Sequence, residues 1–102
     1  LTPRLVTGLL EIIRKSPDFE PFRNLLSASG TDGTLKWRLG GKTTGLVFAK
    51  TGRLGLVISM AGFVQTLNGR WLAFCIVTNN HPARKSDPKD TIDTIVKLLA
   101  RY

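Results

Sequence analysis

Lys50, Thr51 and Gly52 stand together near the end of an apolar, strand-like run, Gly45-Leu46-Val47-Phe48-Ala49. A lysine ammonium at a strand rim can stabilise a carboxylate and help move protons around a nearby nucleophile. A threonine hydroxyl can donate to the same carboxylate. Glycine lacks a side chain, so a peptide can approach the backbone closely. An exposed strand edge can then bind that peptide as an added strand. Neighbouring side chains of a straight strand point to opposite faces. Lys50 and Thr51 can therefore serve one site only if it straddles the edge, and we expect their strand to be an edge strand.

Other reactive residue types offer less. His81, the one histidine, lies between Asn80 and Pro82 and reads as a loop residue. No Cys, His or carboxylate spacing suggests a metal, and we expect no cofactor. Asp87, Asp90 and Asp93 read as loop and first-turn charges suited to a helix N-terminus, not as a catalytic pair. Cys75 has no second cysteine to pair with and sits inside the apolar run Trp71 to Val77. We read it as a buried small hydrophobe, because nothing nearby would lower its pKa.

The elements that must position Lys50 and Thr51 follow from patterning. Thr2 can cap a helix with Pro3 in its first turn, and Leu5, Leu9, Ile12 and Ile13 share one face. Ser16-Pro17-Asp18 stops it, and Phe19 to Leu26 reads as a short second helix. Residues 27–45 are glycine-rich loop, with a short extended piece expected over Thr34 to Leu39. Three strands follow, over about Leu46 to Thr51, Leu54 to Thr66 and Arg70 to Asn79. Asn68-Gly69 between the last two is a two-residue hairpin signal, since a type I′ turn needs positive φ at both central positions. The third strand is apolar almost throughout, which implies burial on both faces in the centre of a sheet. His81 to Asp90 reads as a polar linker. Asp90 or Thr91 then starts a last helix, with Ile92, Ile95, Val96, Leu98 and Leu99 as its buried stripe.

The chain has 102 residues, room for one domain, expected to be a single partial domain over 1–102, and its 42% hydrophobic and 22% charged content describes an ordinary globular chain, not a disordered one. No apolar run approaches the ~20 residues needed to span a membrane. The chain does not open on a signal peptide, and a processed secreted protein would lack one too, so this leaves the compartment open. The net charge of +8 is uneven. No acid stands between Asp32 and Asp87, where Lys36, Arg38, Lys42, Lys50, Arg53, Arg70, Arg84 and Lys85 supply the whole excess. Such a field favours an anionic partner: nucleic acid, anionic lipid or a carboxylate-bearing substrate.

Lys-Thr-Gly on a strand is also the third signature element of penicillin-binding proteins and serine β-lactamases. Its surroundings make the likeness more specific. Gly30-Thr31-Asp32-Gly33-Thr34-Leu35, Ala49-Lys50-Thr51-Gly52-x-Leu54, Ser59-Met60-Ala61-Gly62-Phe63-Val64 and Gly69-Arg70-x-Leu72-Ala73-Phe74 leading to Asn79-Asn80 follow one another. Together they resemble the C-terminal part of D-alanyl-D-alanine carboxypeptidases of the class C low-molecular-mass penicillin-binding proteins. Thr2-Pro3 and the Ser16-Pro17-Asp18-Phe19 region look like the helices before that part, so the resemblance covers nearly the whole chain.

The resemblance implies an α+β fold, with three antiparallel strands between N- and C-terminal helices forming part of the five-stranded sheet of a penicillin-binding transpeptidase-like domain. The Lys50 strand would lie at the sheet edge, and the last strand would pair with a strand from earlier in a parent chain. Lys50 would face the nucleophile as a catalytic residue. Thr51 would bind the substrate carboxylate beside Gly52, and the Arg53 backbone N–H would supply one oxyanion-hole donor. The family usually has Thr or Ser at position 53. Arg53 keeps the backbone donor, loses the hydroxyl, and could offer a guanidinium to the carboxylate. Partners would be peptidoglycan peptide stems and β-lactams, in a periplasmic or other extracytoplasmic compartment.

The two earlier signature elements of such enzymes, Ser-x-x-Lys and a Ser-x-Asn type, are missing upstream of Lys50. Ser86-Asp87-Pro88-Lys89 matches the first only on paper: it follows the Lys-Thr-Gly, contains a proline and falls in the linker. We therefore expect a fragment inactive alone, whose third strand, 71–79, self-associates or is covered by another chain. The alternative is a small basic module for nucleic acid or another polyanion. It is disfavoured because Phe48, Phe63, Trp71 and Phe74 sit in apolar runs instead of on a polar stacking surface.

Overall fold

The computed structural model describes residues 2–79 and 87–102. Helices α1 (Pro3–Arg14) and α2 (Phe19–Asn24) lead to a short strand β1 (Ser27–Ala28), then β2 (Val47–Leu54), β3 (Val57–Gln65), β4 (Trp71–Asn79) and helix α3 (Pro88–Leu99). The described strands form one antiparallel sheet in the order β1-β2-β3-β4. This is the expected α+β architecture with one strand more, β1, than patterning suggested. Two residues are too few for an alternation signal.

Thr2 caps α1 as expected, its hydroxyl accepting from the Leu5 N–H at 3.1 Å. The buried side of α1 is not the expected one. Leu10 is buried, while Leu5, Leu9 and Ile12 are exposed. The helix is apolar on two sides, and the sheet covers only one of them.

Sheet register divides the side chains between two layers. Val47, Ala49, Ile58, Met60, Val64 and Phe74 form one face, packed with Leu35, Leu39, Ile92, Val96 and Ala100. The opposite face carries Phe48, Phe63 and Trp71. Phe19 of α2 stands edge-on to Phe63 and Trp71, with ring centres 5.0 and 5.1 Å apart, and the Arg23 guanidinium lies 5.2–5.6 Å from the rings of Phe19, Phe48 and Trp71. Edge-to-face and cation–π geometry thus dock α2 onto the sheet.

Several boundaries differ from the sequence expectation, each for a local reason. β2 runs on through Arg53 and Leu54, because the turn uses Gly55, at φ 59°, between the paired Leu54 and Val57. Thr34 to Leu39 is not extended. Gly33–Leu35 is a 3-10 turn, and Leu39 takes φ 56° while buried in the core. The Asn68-Gly69 connection is not a two-residue type I′ turn: only Gly69 has positive φ, at 85°, and its N–H bonds to the Thr66 carbonyl at 2.8 Å. α3 starts earlier than expected, with Asp87 capping the Lys89 N–H at 2.9 Å and Pro88 in the first turn. On α3, Ile92 and Val96 are buried and Leu99 partly so, but Ile95 and Leu98 are exposed.

β4 is the last strand of the described sheet, not a central one, and of its residues only Phe74 is buried. Its continuous apolar run asks for cover on two faces and two edges, and the described residues supply one edge. Asn80, His81 and Ser86, with most of the expected linker, lie outside the described residues.

Gly62 is where the sheet allows least change. A Cβ there would stand 2.1 Å from the Phe48 carbonyl oxygen and 2.6 Å from the Ala49 Cα, both backbone atoms that cannot rotate away. We expect Gly62→Ala to destabilise the fold by about 1–3 kcal/mol, read as a lower denaturation midpoint. An unchanged midpoint would show that β2 and β3 can separate freely.

Candidate active site

The phase of β2 is set by what it buries. Val47 and Ala49 are fully buried on the α3 face, so Thr51 and Arg53 follow on that face and Phe48, Lys50 and Gly52 on the other. Backbone groups alternate in the same way. The Val47 N–H donates to Ser29 Oγ at 3.1 Å and its carbonyl accepts from the Ser29 N–H at 2.8 Å, both on the outer edge, whereas the Leu46 carbonyl bonds inward to Gln65. By alternation, the N–H and C=O of Ala49, Thr51 and Arg53 point outward.

β1 covers this outer edge only at Phe48 and Ala49. From Lys50 onward β2 is an edge strand among the described residues, as the chemistry of Lys50 and Thr51 requires. Thr51 and Arg53 therefore present backbone donors and acceptors to an open groove. Lys50 is exposed, and its ammonium bonds to the outward Thr51 carbonyl at 2.6 Å. The open edge thus lets the two opposite faces converge on one place.

That place is a shallow pocket of about 530 Å³ lined by Thr34, Arg38, Lys50, Thr51, Gly52, Arg53, Ile58 and Lys89. It gathers all four sequence-predicted site residues. Four cations and no carboxylate line it. Of these, Arg38 is spent on Asp93 through two bonds, Nη2 to Oδ1 at 2.5 Å and Nε to Oδ2 at 3.1 Å, with both side chains 18% exposed. This planar, bidentate pair ties the loop before β2 to α3 and closes one side of the pocket. It also corrects the reading of Asp93 as a first-turn charge: Asp93 is a tertiary contact. Lys50, Arg53 and Lys89 form no ion pair among the described residues, so the pocket favours an anion. Ser59 Oγ lies 2.9 Å from where a Gly52 Cβ would stand, so a larger residue at 52 would have to push that hydroxyl aside.

Sequence reasoning passed over Thr34, whose hydroxyl meets Thr51 Oγ1 at 3.3 Å, as well as Arg38 and Lys89. Thr34 lay inside the Gly30–Leu35 motif without an assigned role. Arg38 and Lys89 reach the pocket only through the packing of distant segments. Another hollow, of about 290 Å³ between Gly40–Thr43, Leu67 and Lys97–Arg101, lies at the opposite end of β2 and contains none of the predicted residues. Among the described residues no cluster of His, Cys, Asp and Glu could hold a metal, and no helix is long and apolar enough to cross a membrane.

Comparison with known proteins supplies a family. Residues 1–102 match the D-Ala-D-Ala carboxypeptidase 3 (S13) family. All of the chain aligns with 21% of the penicillin-sensitive carboxypeptidase A of Dictyostelium discoideum, at 36% identity over 112 residues. All of it superposes on 26% of penicillin binding protein 4 from Haemophilus influenzae, solved in complex with a β-lactam, with a TM-score of 0.81 and 25% identity. A predatory endopeptidase from Bdellovibrio bacteriovorus, solved with its immunity protein, matches 90% of the chain over 24% of its own length at a TM-score of 0.64 and 23% identity, which shows a shared fold. The chain thus spans about a quarter of the length of these relatives.

Cys75 sits on the Lys50 face, in the same cross-strand row through Ala61. It is half-buried, not buried as expected, because β4 ends the described sheet. Desolvation still pushes its thiol above the ordinary value, which disfavours the thiolate. At pH 8 iodoacetamide should therefore label Cys75 more slowly in the folded protein than in denaturant, the gap narrowing as pH rises. Equal rates would show that the row is open to solvent.

Proposed function

Because the chain belongs to the D-Ala-D-Ala carboxypeptidase 3 (S13) family, we propose that it is the C-terminal part of a serine-type D-Ala-D-Ala carboxypeptidase/endopeptidase, a penicillin-binding protein acting on peptidoglycan peptides outside the cytoplasm. One observation carries this reading: the open outer edge of β2, where the Lys50 ammonium, the Thr51 hydroxyl and the outward backbone of Thr51 and Arg53 line one acid-free pocket.

Each residue then has a task. The substrate peptide lies along β2 as an added strand, paired to the outward backbone groups and brought close by Gly52. Thr51 donates to its terminal carboxylate. Arg53 adds a guanidinium to the same anion, and its backbone N–H donates to the oxyanion that forms when the scissile carbonyl is attacked. Lys50 stabilises the negative charge near the nucleophile and helps return its proton. The attacking serine comes from residues outside this chain. It forms an acyl-enzyme with loss of D-alanine, and water then hydrolyses the ester.

The same reading accounts for β4. The edge of β4 that no described residue pairs, with its apolar run, fits a strand from the rest of the enzyme, and without one it favours self-association through residues 71–79. A polyanion-binding module has less support, because Phe48, Phe63 and Trp71 are engaged with other rings and with Arg23.

A labelled penicillin should mark the full-length protein that carries this chain and leave the 102-residue chain unmarked. Failure to mark the full-length protein would sink the proposal. Sedimentation of the isolated chain over a concentration series should show association, and a monomer at every concentration would refute the role given to β4.

A further inference from the structure

The Gly30–Leu35 segment runs beside Thr51 and has no task in the mechanism above, yet it is built with care. Gly30 N–H bonds to the Leu35 carbonyl at 2.8 Å, and Asp32 Oδ1 accepts from the Ala28 N–H at 2.8 Å. Leu35 is fully buried. Gly33 has φ 57°, and a Cβ there would stand 2.2 Å from Ser27 Oγ, so only glycine lets the turn sit so close to β1. The result is a row of three hydroxyls that ends in the pocket. Thr51 Oγ1 meets Thr34 Oγ1 at 3.3 Å, Thr34 Oγ1 meets Ser27 Oγ at 3.5 Å, and the Thr34 N–H donates to Ser27 Oγ at 3.3 Å.

We propose that Thr34 is a positioning residue that aims the Thr51 hydroxyl at the substrate carboxylate. The O···O separations fit either sense of donation; in the proposed cycle the row runs inward without an anion, Thr51 donating to Thr34 and Thr34 to Ser27. In that state the Thr51 proton points at Thr34 and is not offered to the carboxylate. A carboxylate beside Thr51 reverses the row. Ser27 then donates to Thr34, Thr34 donates to Thr51, and Thr51 donates to the carboxylate. Each hydroxyl is both donor and acceptor, so the reversal needs only rotation about C–O bonds. Donors aligned head to tail polarise one another and strengthen the terminal bond to the anion. The 3-10 turn at Gly33–Leu35 holds Thr34 beside Thr51, and the 3.3 and 3.5 Å separations close by a few tenths of an ångström when the row bonds. This inference rests on the reading of Thr51 as a carboxylate ligand.

The test compares acylation of the full-length protein by a penicillin and by its methyl ester, which lacks the anion. The readout is the ratio of the two second-order rate constants. Thr34→Val, which keeps the shape and removes the hydroxyl, should lower the ratio by about three- to tenfold, the loss of one hydrogen bond to the carboxylate. Thr34→Ser should restore it. A structural role alone would slow both probes alike, and that result overturns the inference. Thr51→Val separates the two levels of reading. If it leaves the ratio intact, the assignment of Thr51 fails and takes Thr34 with it. If it lowers the ratio while Thr34→Val does not, only the role of Thr34 falls. A protein that neither probe acylates overturns both.

Discussion

Burial of Val47 and Ala49 is the constraint on which the candidate site depends. Both are fully buried against the α3 layer, and they fix which face and which edge every later residue of β2 addresses. A strand has a side-chain period of two, so a one-residue slip would carry Lys50 into the core and turn the Thr51 and Arg53 amides inward. Burying an unpaired ammonium costs several kcal/mol, on the order of a small domain's whole stability margin. The hydrophobic core therefore aims the polar site, although it touches little of it.

A second set of contacts shapes the open side of the strand. β1 and the glycine-rich loop cover β2 only as far as Ala49, then turn away and return through Thr34 and Arg38. Leu35 and Leu39 anchor that loop in the core, and the Arg38–Asp93 pair fastens it to α3. Partial burial and bidentate geometry give this pair a weight that an exposed ion pair would lack. The pocket thus depends on segments more than fifty residues apart in sequence.

The surface carries apolar area that the described residues leave open. Leu5, Leu9 and Ile12 line the outer side of α1, Leu54 and Leu56 flank the β2–β3 turn, and Val77 is exposed on β4. Scattered apolar residues need no explanation, but an apolar helix side together with an unpaired strand edge does. Both fit the proposal that residues outside this chain complete the sheet and supply the nucleophile. The chain covers about a quarter of its relatives, which agrees with that division of labour.

Much of this was legible in the sequence, because it depends on local chemistry. Thr2-Pro3 marks a helix start, alternation and apolar runs mark β2 to β4, and Lys50-Thr51-Gly52 marks a strand rim. The family resemblance, carried by consecutive motifs, matched the family found by comparison. The rest was decided in three dimensions. Which side of α1 is buried depended on where the sheet lies. Whether β4 is central depended on a neighbour that the described residues do not supply. Thr34 entered the site because Gly33 can adopt positive φ close to Ser27, and Asp93 supports the pocket from outside its lining because Arg38 folds against it. Period and propensity are properties of neighbours along the chain, and they specify elements. A pocket is a property of neighbours in space, and only the packed fold brings those together.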